Sequence, residues 1–480
     1  MSNTVTSAFI DLATFDEIEK YLYNGPTAVT YFVRCVRKST WFAQVPVPLT
    51  QNAGNPDFGG DVAFQISRAG DYLLYVFLRF TTPRIKFVNN ENGAKKARWV
   101  QNLAHNLIDL TWVSFNDLKV QEFDSYWLDM WAAHTVTASK RLGYQNMVGQ
   151  DLQVLGQQGS LAGGAGPDAV EEIPEYTFNL PLPYFFTRDT GIALPTAALP
   201  YNEMRIHFEF RRLDELLVLE GANATYQDLE NAAGLKLKNV QLWANYAVVS
   251  NEERVKMGKC PRDMVIEQVQ RHGGRAYQAA STGVDSNQSF DIRMSHSLKA
   301  LFWNVQNTTV CKVGNQNGNL AQNLSNYTTR SSCSCPSAER PDGNGCDDTG
   351  MGLHAGQDPV RLSSLLYENT YRLFEMGSDY FSLVQQYYHW DVIPDVTGHH
   401  SYSFALKPTS MDPSGSTNFG KLTNVSLQLT PSRDAVIVNG GAANLGETYD
   451  GQLQNFQLFV RSLNFNIVRV SGGALGLPVL

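Results

Sequence analysis

Four residues close together near the C-terminal end could bind a metal: His389, Asp391, His399 and His400, set in HWD and GHH. Zinc wants about four such ligands held in fixed geometry, with a recognisable spacing. Here they flank two strand ends, so a structural or hydrogen-bonding role for the histidines is the plainer reading. A second group is Cys311, Cys333, Cys335 and Cys346, gathered in one polar segment. It contains no CxxC and no paired histidine, so a zinc ribbon is disfavoured. Cys333 and Cys335 are too close to pair easily with each other, but each can pair with Cys311 or Cys346. Free thiols are the alternative in a reducing compartment. The glycine-rich run Gly156–Gly166 lacks the Gly-Lys-Ser/Thr that a phosphate loop requires. There is no Gly-x-Ser-x-Gly, and the adjacent carboxylates Glu171 and Glu172 read as solvated. The basic pairs Lys95-Lys96 and Arg211-Arg212 are isolated, and Asn-x-Ser/Thr tripeptides occur at Asn223, Asn287, Asn307, Asn323, Asn326 and Asn424. No acid/base pair, nucleophile or cofactor motif stands out, so the expectation is a protein that is not an enzyme and holds no cofactor.

The elements that would carry these residues are strands. Met204, Ile206, Phe208 and Phe210 alternate with Arg205, His207 and Glu209, the period of a strand with one dry face. A proline-bounded corner precedes them, with Pro181, Pro183, Pro195 and Pro200 marking strand ends. The same order of strand, Pro/Gly corner and strand returns at 399–429. Further strands are expected at Ala28–Val36, Val62–Ser67, Tyr72–Phe80, Leu107–Leu118, Leu216–Glu220, Leu235–Val249, Met264–Val269, Phe290–Met294, Leu298–Val305, Leu362–Tyr367 and Phe456–Val470. The turns at Arg68–Asp71 and Ser295–Ser297 read as closing two tight strand pairs. Tyr126, Trp127, Met130, Trp131 and His134 recur with the period of a helix. Residues 89–99, 153–168 and 311–358 read as exposed loops, and 250–260 as a charged connector.

With 480 residues, two or three domains are expected. The chain is 43% apolar and 18% charged, with 25 Phe, 21 Tyr and 8 Trp, a load that favours sheets. A net charge of −8 argues against a surface that wraps nucleic acid. No run approaches the ~20 apolar residues of a membrane span, and the first residues read as neither signal peptide nor myristoylation site. Residues 1–25 read as an arm, with Leu12, Phe15, Ile18 and Leu22 on one helical face that must dock on something. About eight strands per half with no βαβ alternation give an all-β fold. It is a double jelly roll, two eight-stranded antiparallel β-sandwiches at 26–249 and 261–480, with short helices in the loops.

Several blocks also carry a resemblance. SAFIDLATFDEIEKYLYNG, RAGDYLLYVFLRF, LPLPYFFTRDTGIALPTAALPYNEMRI, VSNEERVKMG, YENTYRLFEMGSDYFSLV, TGHHSYSFAL, DPSGSTNFGKLTN and RVSGGALGLPVL resemble major capsid proteins of iridovirus type. Marseillevirus-type capsid proteins are the close alternative. The blocks run in order along the whole chain. The resemblance implies a homotrimer of six jelly rolls forming a pseudo-hexagonal capsomer. Capsomers would tile an icosahedral virion shell around an internal membrane, assembled in the host cytoplasm. It implies contacts with neighbouring capsomers and minor capsid proteins, and with the membrane through the arm, but none with nucleic acid. Segment 311–358 is longer and richer in cysteine than the family leads one to expect, and reads as an exposed, outward tower that is mobile, tied by neighbours in the trimer, or stapled by Cys311, Cys333, Cys335 and Cys346. The alternative from another class is a carbohydrate-binding or hydrolytic jelly roll.

Overall fold

The computed structural model describes residues 2–34, 36–88, 95–149, 172–220, 225–277, 287–308, 324–329, 358–395, 397–432, 435 and 455–478. It divides into two compact units, Met1–Trp41 and Phe42–Leu480.

The first unit carries two helices, α1 (Ser2–Ala13) and α2 (Glu17–Tyr23). The single helix expected from Asp11 is thus split. Asp16 adopts an extended conformation and caps α2 in a capping box with Glu19, which restarts the helix after a break. Residues 28–34 form no strand, although Val29, Tyr31, Phe32 and Val33 suit one. β propensity is a fit to neighbouring strands, and it forms no strand without them.

In the second unit the strands come in chain order as β1 (Phe42–Pro48), β2 (Thr50–Gly54), β3 (Asp61–Gln65), β4 (Tyr72–Thr81), β5 (Ile85–Lys86), β6 (Lys96–Trp99), β7 (Ile108–Phe115), β8 (Leu118–Asp124), β9 (Glu172–Ile173), β10 (Thr177–Pro181), β11 (Met204–Phe210), β12 (Leu217–Glu220) and β13 (Lys238–Val249). Nine of these form one sheet ordered β1-β13-β4-β10 and a facing one ordered β2-β3-β11-β7-β8, while β5 with β9 and β6 with β12 make two short separate pairs. The second set is β14 (Arg262–Tyr277), β15 (Gln288–Asp291), β16 (Ser297–Asn307), β17 (Val360–Tyr367), β18 (Thr370–Gly377), β19 (His399–Ser403), β20 (Thr417–Asn418), β21 (Val425–Pro431), β22 (Phe456–Ser471) and β23 (Ala474–Gly476). Its sheets are ordered β14-β22-β16-β19 and β15-β21-β17-β18. Setting aside β2 and the short strands β5, β6, β9, β12, β20 and β23, the two halves match position for position, and every sheet pairing is antiparallel. This is a double jelly roll with short helices in its loops.

The alternation in β11 is realised residue by residue: Met204, Ile206, Phe208 and Phe210 are buried, and the three polar residues between them are half-exposed. Two tight turns do something other than expected. The corner at 66–71 does not close a hairpin. It carries the chain from β3 in one sheet to β4 in the other, and the corner at 292–296 does the same between β15 and β16. Alternating burial is satisfied equally by pairing with the next strand or by facing it across the core, so periodicity cannot tell the two apart. Both corners are pinned by side chains. Asp71 accepts from Arg254 Nε at 2.8 Å and Nη2 at 2.9 Å, and from the Val249 N–H. Gln270 Oε1 accepts from the Ser295 N–H at 2.8 Å, and His296 turns the chain at φ 65°. Arg254 lies on a helix, α7 (Asn251–Lys259), so the charged connector is ordered and tied to the first corner.

Other loops are partly structured. β6 runs through the expected polar loop and pairs with β12, burying Ala97 and Trp99. Residues 153–168 lie outside the described residues. The expected strand Leu107–Leu118 is β7, which ends at the Asn116 turn (φ 54°), and β8 then follows from Leu118. Asp71→Ala removes three hydrogen bonds at the first corner. It should cost about 1–3 kcal/mol in denaturant unfolding at neutral pH.

Candidate functional site

Side chains from both halves converge at the seam where the two halves meet. It is built on helix α4 (Ser125–Thr135), which leaves the end of β8. Asp124 caps it, its Oδ1 accepting from the Trp127 N–H at 3.0 Å. The helical spacing of Tyr126, Trp127, Trp131 and His134 sends these rings toward the second half. Tyr126 stacks on Phe459 at 3.8 Å between centroids, and Trp127 meets Phe302 edge-on at 5.3 Å. Trp131 meets Trp390 at 6.2 Å, and His134 lies 5.3 Å from Phe302. Both faces of β16 are therefore dry. Leu301, Trp303 and Val305 line the core of the second sandwich, while Ala300 and Phe302 join the core of the first.

Charges taken into the seam are paired, as they must be at such depth. The Arg461 guanidinium forks onto Asp124, its Nη2 on Oδ2 and its Nε 3.3 Å from Oδ1. Burial pushes the Asp124 carboxyl up, but Arg461 and the Trp127 N–H outweigh it, so the net shift is below the ordinary range. Glu267, 1% exposed, accepts from Lys299 Nζ and, at 2.8 Å, from Arg188 Nε. Arg188 in turn covers the Trp131 ring at 4.1 Å. Burial holds the Lys299 ammonium below its usual range despite Glu267. At the strand edges, Gln268 donates to the Val120 carbonyl and Arg271 Nε lies 2.9 Å from Glu122.

A polar knot extends the seam. Helix α3 (Leu103–Leu107) brings His105 Nδ1 to 2.6 Å from Asp129 Oδ1, and its Nε2 lies 2.7 Å from the hydroxyl of Tyr144 on α5 (Ala138–Val148). Asp129 Oδ2 accepts from Ser325 at 3.0 Å and Tyr327 at 3.1 Å. A cavity of about 100 Å³ opens beside it, lined by His105, Asp129, Arg141 and Tyr144. Leu324, Ser325, Tyr327, Thr328 and Thr329 are buried here, which corrects the expectation that all of 311–358 is exposed. Composition hid this because Ser325 and Tyr327 are buried by hydrogen bonding to Asp129, while apolar content signals only dry burial. Gly398, at φ 92°, permits the close approach: a Cβ there would lie 2.2 Å from the Tyr327 carbonyl oxygen.

The residues singled out in the sequence fare unequally. Cys311, Cys333, Cys335 and Cys346 lie outside the described residues, as does Gly156–Gly166. Leu12, Phe15, Ile18 and Leu22 are exposed on the arm. His389, Asp391, His399 and His400 are not brought together as ligands, and no group of three or more His, Cys, Asp or Glu suited to a metal occurs among the described residues. His389 Nδ1 lies 3.1 Å from the Leu406 carbonyl, His399 Nδ1 2.8 Å from Asn304 Nδ2, and His400 Nε2 2.7 Å from Asp358. Arg211, read only as half of an isolated basic pair, is buried and meets Asp109 at 3.2 Å. Asn307 is fully buried and donates to the Thr328 carbonyl. Sequence reasoning missed Asp124, Glu267, Lys299 and Arg461. Of these, Asp124 carried a readable signal, as a capping residue just before the helical period begins.

Two outcomes follow for this seam. Asp124→Ala strands Arg461 in the interior and uncaps α4, and should cost about 3–5 kcal/mol in chemical unfolding. Acid should loosen the seam through His134 and His399. Burial lowers their pKa values from 6.5 to about 4 and about 3. Above pH 6.5 both are neutral whether folded or unfolded. Below it the unfolded chain takes up protons that the folded chain refuses, so stability falls as pH falls toward those values. Urea unfolding should show a loss of about 1.5 kcal/mol per histidine between pH 6.5 and 5. The loss should shrink in the variant carrying His134→Gln and His399→Asn.

Comparison with known proteins agrees with this architecture. Residues 253–476 match the family described as large eukaryotic DNA virus major capsid protein, and residues 30–249 match major capsid protein N-terminus. The chain is 45% identical over 488 residues to the major capsid protein of Costelytra zealandica iridescent virus, covering 100% of this chain and 99% of that protein. It is 43% identical to that of Lymphocystis disease virus 1 (isolate Darai), with the same coverage. Among solved structures, the PBCV-1 virus capsid quasi-atomic model superposes with a TM-score of 0.69 at 23% identity, covering 94% of this chain and 100% of that one. The Faustovirus major capsid protein gives 0.67 at 10% identity, covering 93% of each. The chain belongs to the major capsid proteins of large eukaryotic DNA viruses and is a component of the virion capsid.

Proposed function

We propose that three copies of this chain form a pseudo-hexagonal capsomer, and that capsomers tile an icosahedral shell around an internal membrane, assembled in the host cytoplasm. The observation that carries this is the set of large apolar side chains left uncovered on the folded chain. Tyr371 and Phe374 on edge strand β18 are exposed. So are Leu383 and Val384 on the π-helix Tyr380–Val384, and Tyr387 and Tyr388 on α8 (Gln385–His389) that continues it. A contiguous apolar patch on a folded monomer marks an interaction surface, and tyrosine and phenylalanine are enriched at such surfaces. The role is structural: the seam's charged groups are spent on one another, and no catalytic function is assigned to them. The carbohydrate-binding or hydrolytic alternative rests on the fold class alone.

The arm serves the inner side of the shell in this reading. Leu12, Phe15, Ile18 and Leu22 would contact minor capsid proteins or the membrane, and neighbouring capsomers would meet along the outer rim. With a net charge of −8, direct binding of nucleic acid is not part of the proposal.

Light scattering on the purified full-length chain at micromolar concentration should give the trimer mass. Monomer alone would contradict the proposal. Deleting residues 1–22 should leave trimers intact while abolishing closed particles in electron micrographs. Normal particles from the deleted chain would remove the arm from assembly.

A further inference from the structure

The first unit divides into two stretches of opposite character. Helices α1 and α2, with the break between them, hold Asp11, Asp16, Glu17 and Glu19. Their one cation, Lys20, is paired with Glu17 at 2.8 Å. Between Glu19 and Asp57 the chain then has no other Asp or Glu, in a protein whose net charge is −8. Residues 28–34 and 36–41 form the tether to the second unit. The tether carries Arg34, Arg37 and Lys38, all exposed, and among the described residues no ion pair reaches them.

The same tether shows its apolar side chains. Tyr31 is 100% exposed, Phe32 98% and Trp41 88%, and Val29, Val33 and Val36 are open as well. Its described residues form no helix or strand that would cover them. The tether joins the second unit at Phe42, which pairs with Val249 just before α7. That helix has Glu252 and Glu253 in its first turn and Lys256 and Lys259 in its last, so its charges balance, and the cationic character belongs to the tether alone. Unpaired cations beside open tyrosine and tryptophan rings fit a surface that is anionic outside and apolar beneath. Lysine and arginine are drawn to anionic headgroups, and Tyr and Trp settle at headgroup level because each ring has a polar tip and an apolar body. A nucleic-acid surface calls for a denser cluster of cations and offers nothing to the valines.

We infer that the tether seats on an anionic lipid bilayer, with Arg34, Arg37 and Lys38 on the headgroups and Tyr31, Phe32 and Trp41 at the boundary with the acyl chains. This rests on the reading of the arm as the inward part of the chain, and narrows it. The tether takes the membrane. The helices, whose carboxylates an anionic surface repels, are left to protein partners. One tether brings only three cations and a few apolar side chains, so a single chain binds weakly and reversibly. Copies held side by side in a shell multiply the contact, and the array is held firmly although each link is weak.

The test is flotation of the purified full-length chain with vesicles, either of phosphatidylcholine alone or of phosphatidylcholine mixed with phosphatidylserine, at low and high salt. The chain should float with the mixed vesicles at low salt, and should not float with the neutral ones or at high salt. Arg34→Glu with Arg37→Glu and Lys38→Glu should weaken binding to the mixed vesicles about tenfold or more. Tyr31→Ser with Phe32→Ser and Trp41→Ser should weaken it as well, and neither variant should move the unfolding midpoint of the second unit. Leu12→Ser with Phe15→Ser, Ile18→Ser and Leu22→Ser should leave vesicle binding unchanged. Equal binding to both kinds of vesicle, binding that survives the charge reversal, or no flotation at all would overturn the inference. The inward placement of the arm is judged separately, by the particles made from the chain lacking residues 1–22, because that deletion spares the tether. Loss of particles there, with vesicles ignored by the full chain, would sink the lipid contact and leave the arm's role in assembly standing.

Discussion

Laying an aromatic helix across the outer face of a neighbouring sheet is the constraint on which the rest of this chain depends. A jelly roll alone needs one dry face per sheet, so its strands alternate. Once α4 covers the β14-β22-β16-β19 sheet, that sheet must be dry on both faces, and β16 reads as a nearly unbroken buried run. Phe302, Phe459 and Leu463 then share a core with Trp127, Trp131 and Phe185 of the other half. Fully burying such a side chain contributes about 1.5–3 kcal/mol relative to leaving it exposed, so a handful of rings outweighs the cost of holding two sandwiches together. The same burial obliges the charged groups trapped there to pair. Asp124 with Arg461, and Glu267 with Lys299 and Arg188, meet that demand.

The duplication explains how such an arrangement is specified by one chain. The two halves keep the same strand order, the same sheet-crossing corner and a helix after the same strand. They diverge where the environment differs. The helix of the first half carries tryptophans that are fully covered. That of the second carries tyrosines, whose hydroxyls suit a surface that is wet in the free chain and dry in an assembly. The loop between β16 and β17 is also asymmetric: its residues 324–329 return to the seam and close the polar knot around Asp129.

Much of the fold was legible because it is written in local period. The alternation of Met204–Phe210, the helical spacing of Tyr126–His134 and the proline-bounded corner before β11 each state a conformation without reference to distant residues. What was not legible depends on which surface a segment meets. The corners at 66–71 and 292–296 look like hairpin turns, and only the second sheet makes them crossings. Residues 28–34 have the composition of a strand but no neighbour to pair with in the described chain. Lys299 and Glu267 lie inside expected strands with nothing local to mark them, and only the three-dimensional meeting of β14, β16 and Arg188 makes them a buried cluster. Tyr327 looked like part of a polar loop because the acceptor that buries it, Asp129, stands almost two hundred residues away in the chain.

If the seam makes the two halves one cooperative body, they must unfold together. The direct measurement is hydrogen exchange on the purified chain across a denaturant series, reading the slowest amides of β11 and β22 separately. The account predicts a single midpoint shared by both strands. Two separated midpoints, with one sandwich exchanging while the other stays protected, would contradict it.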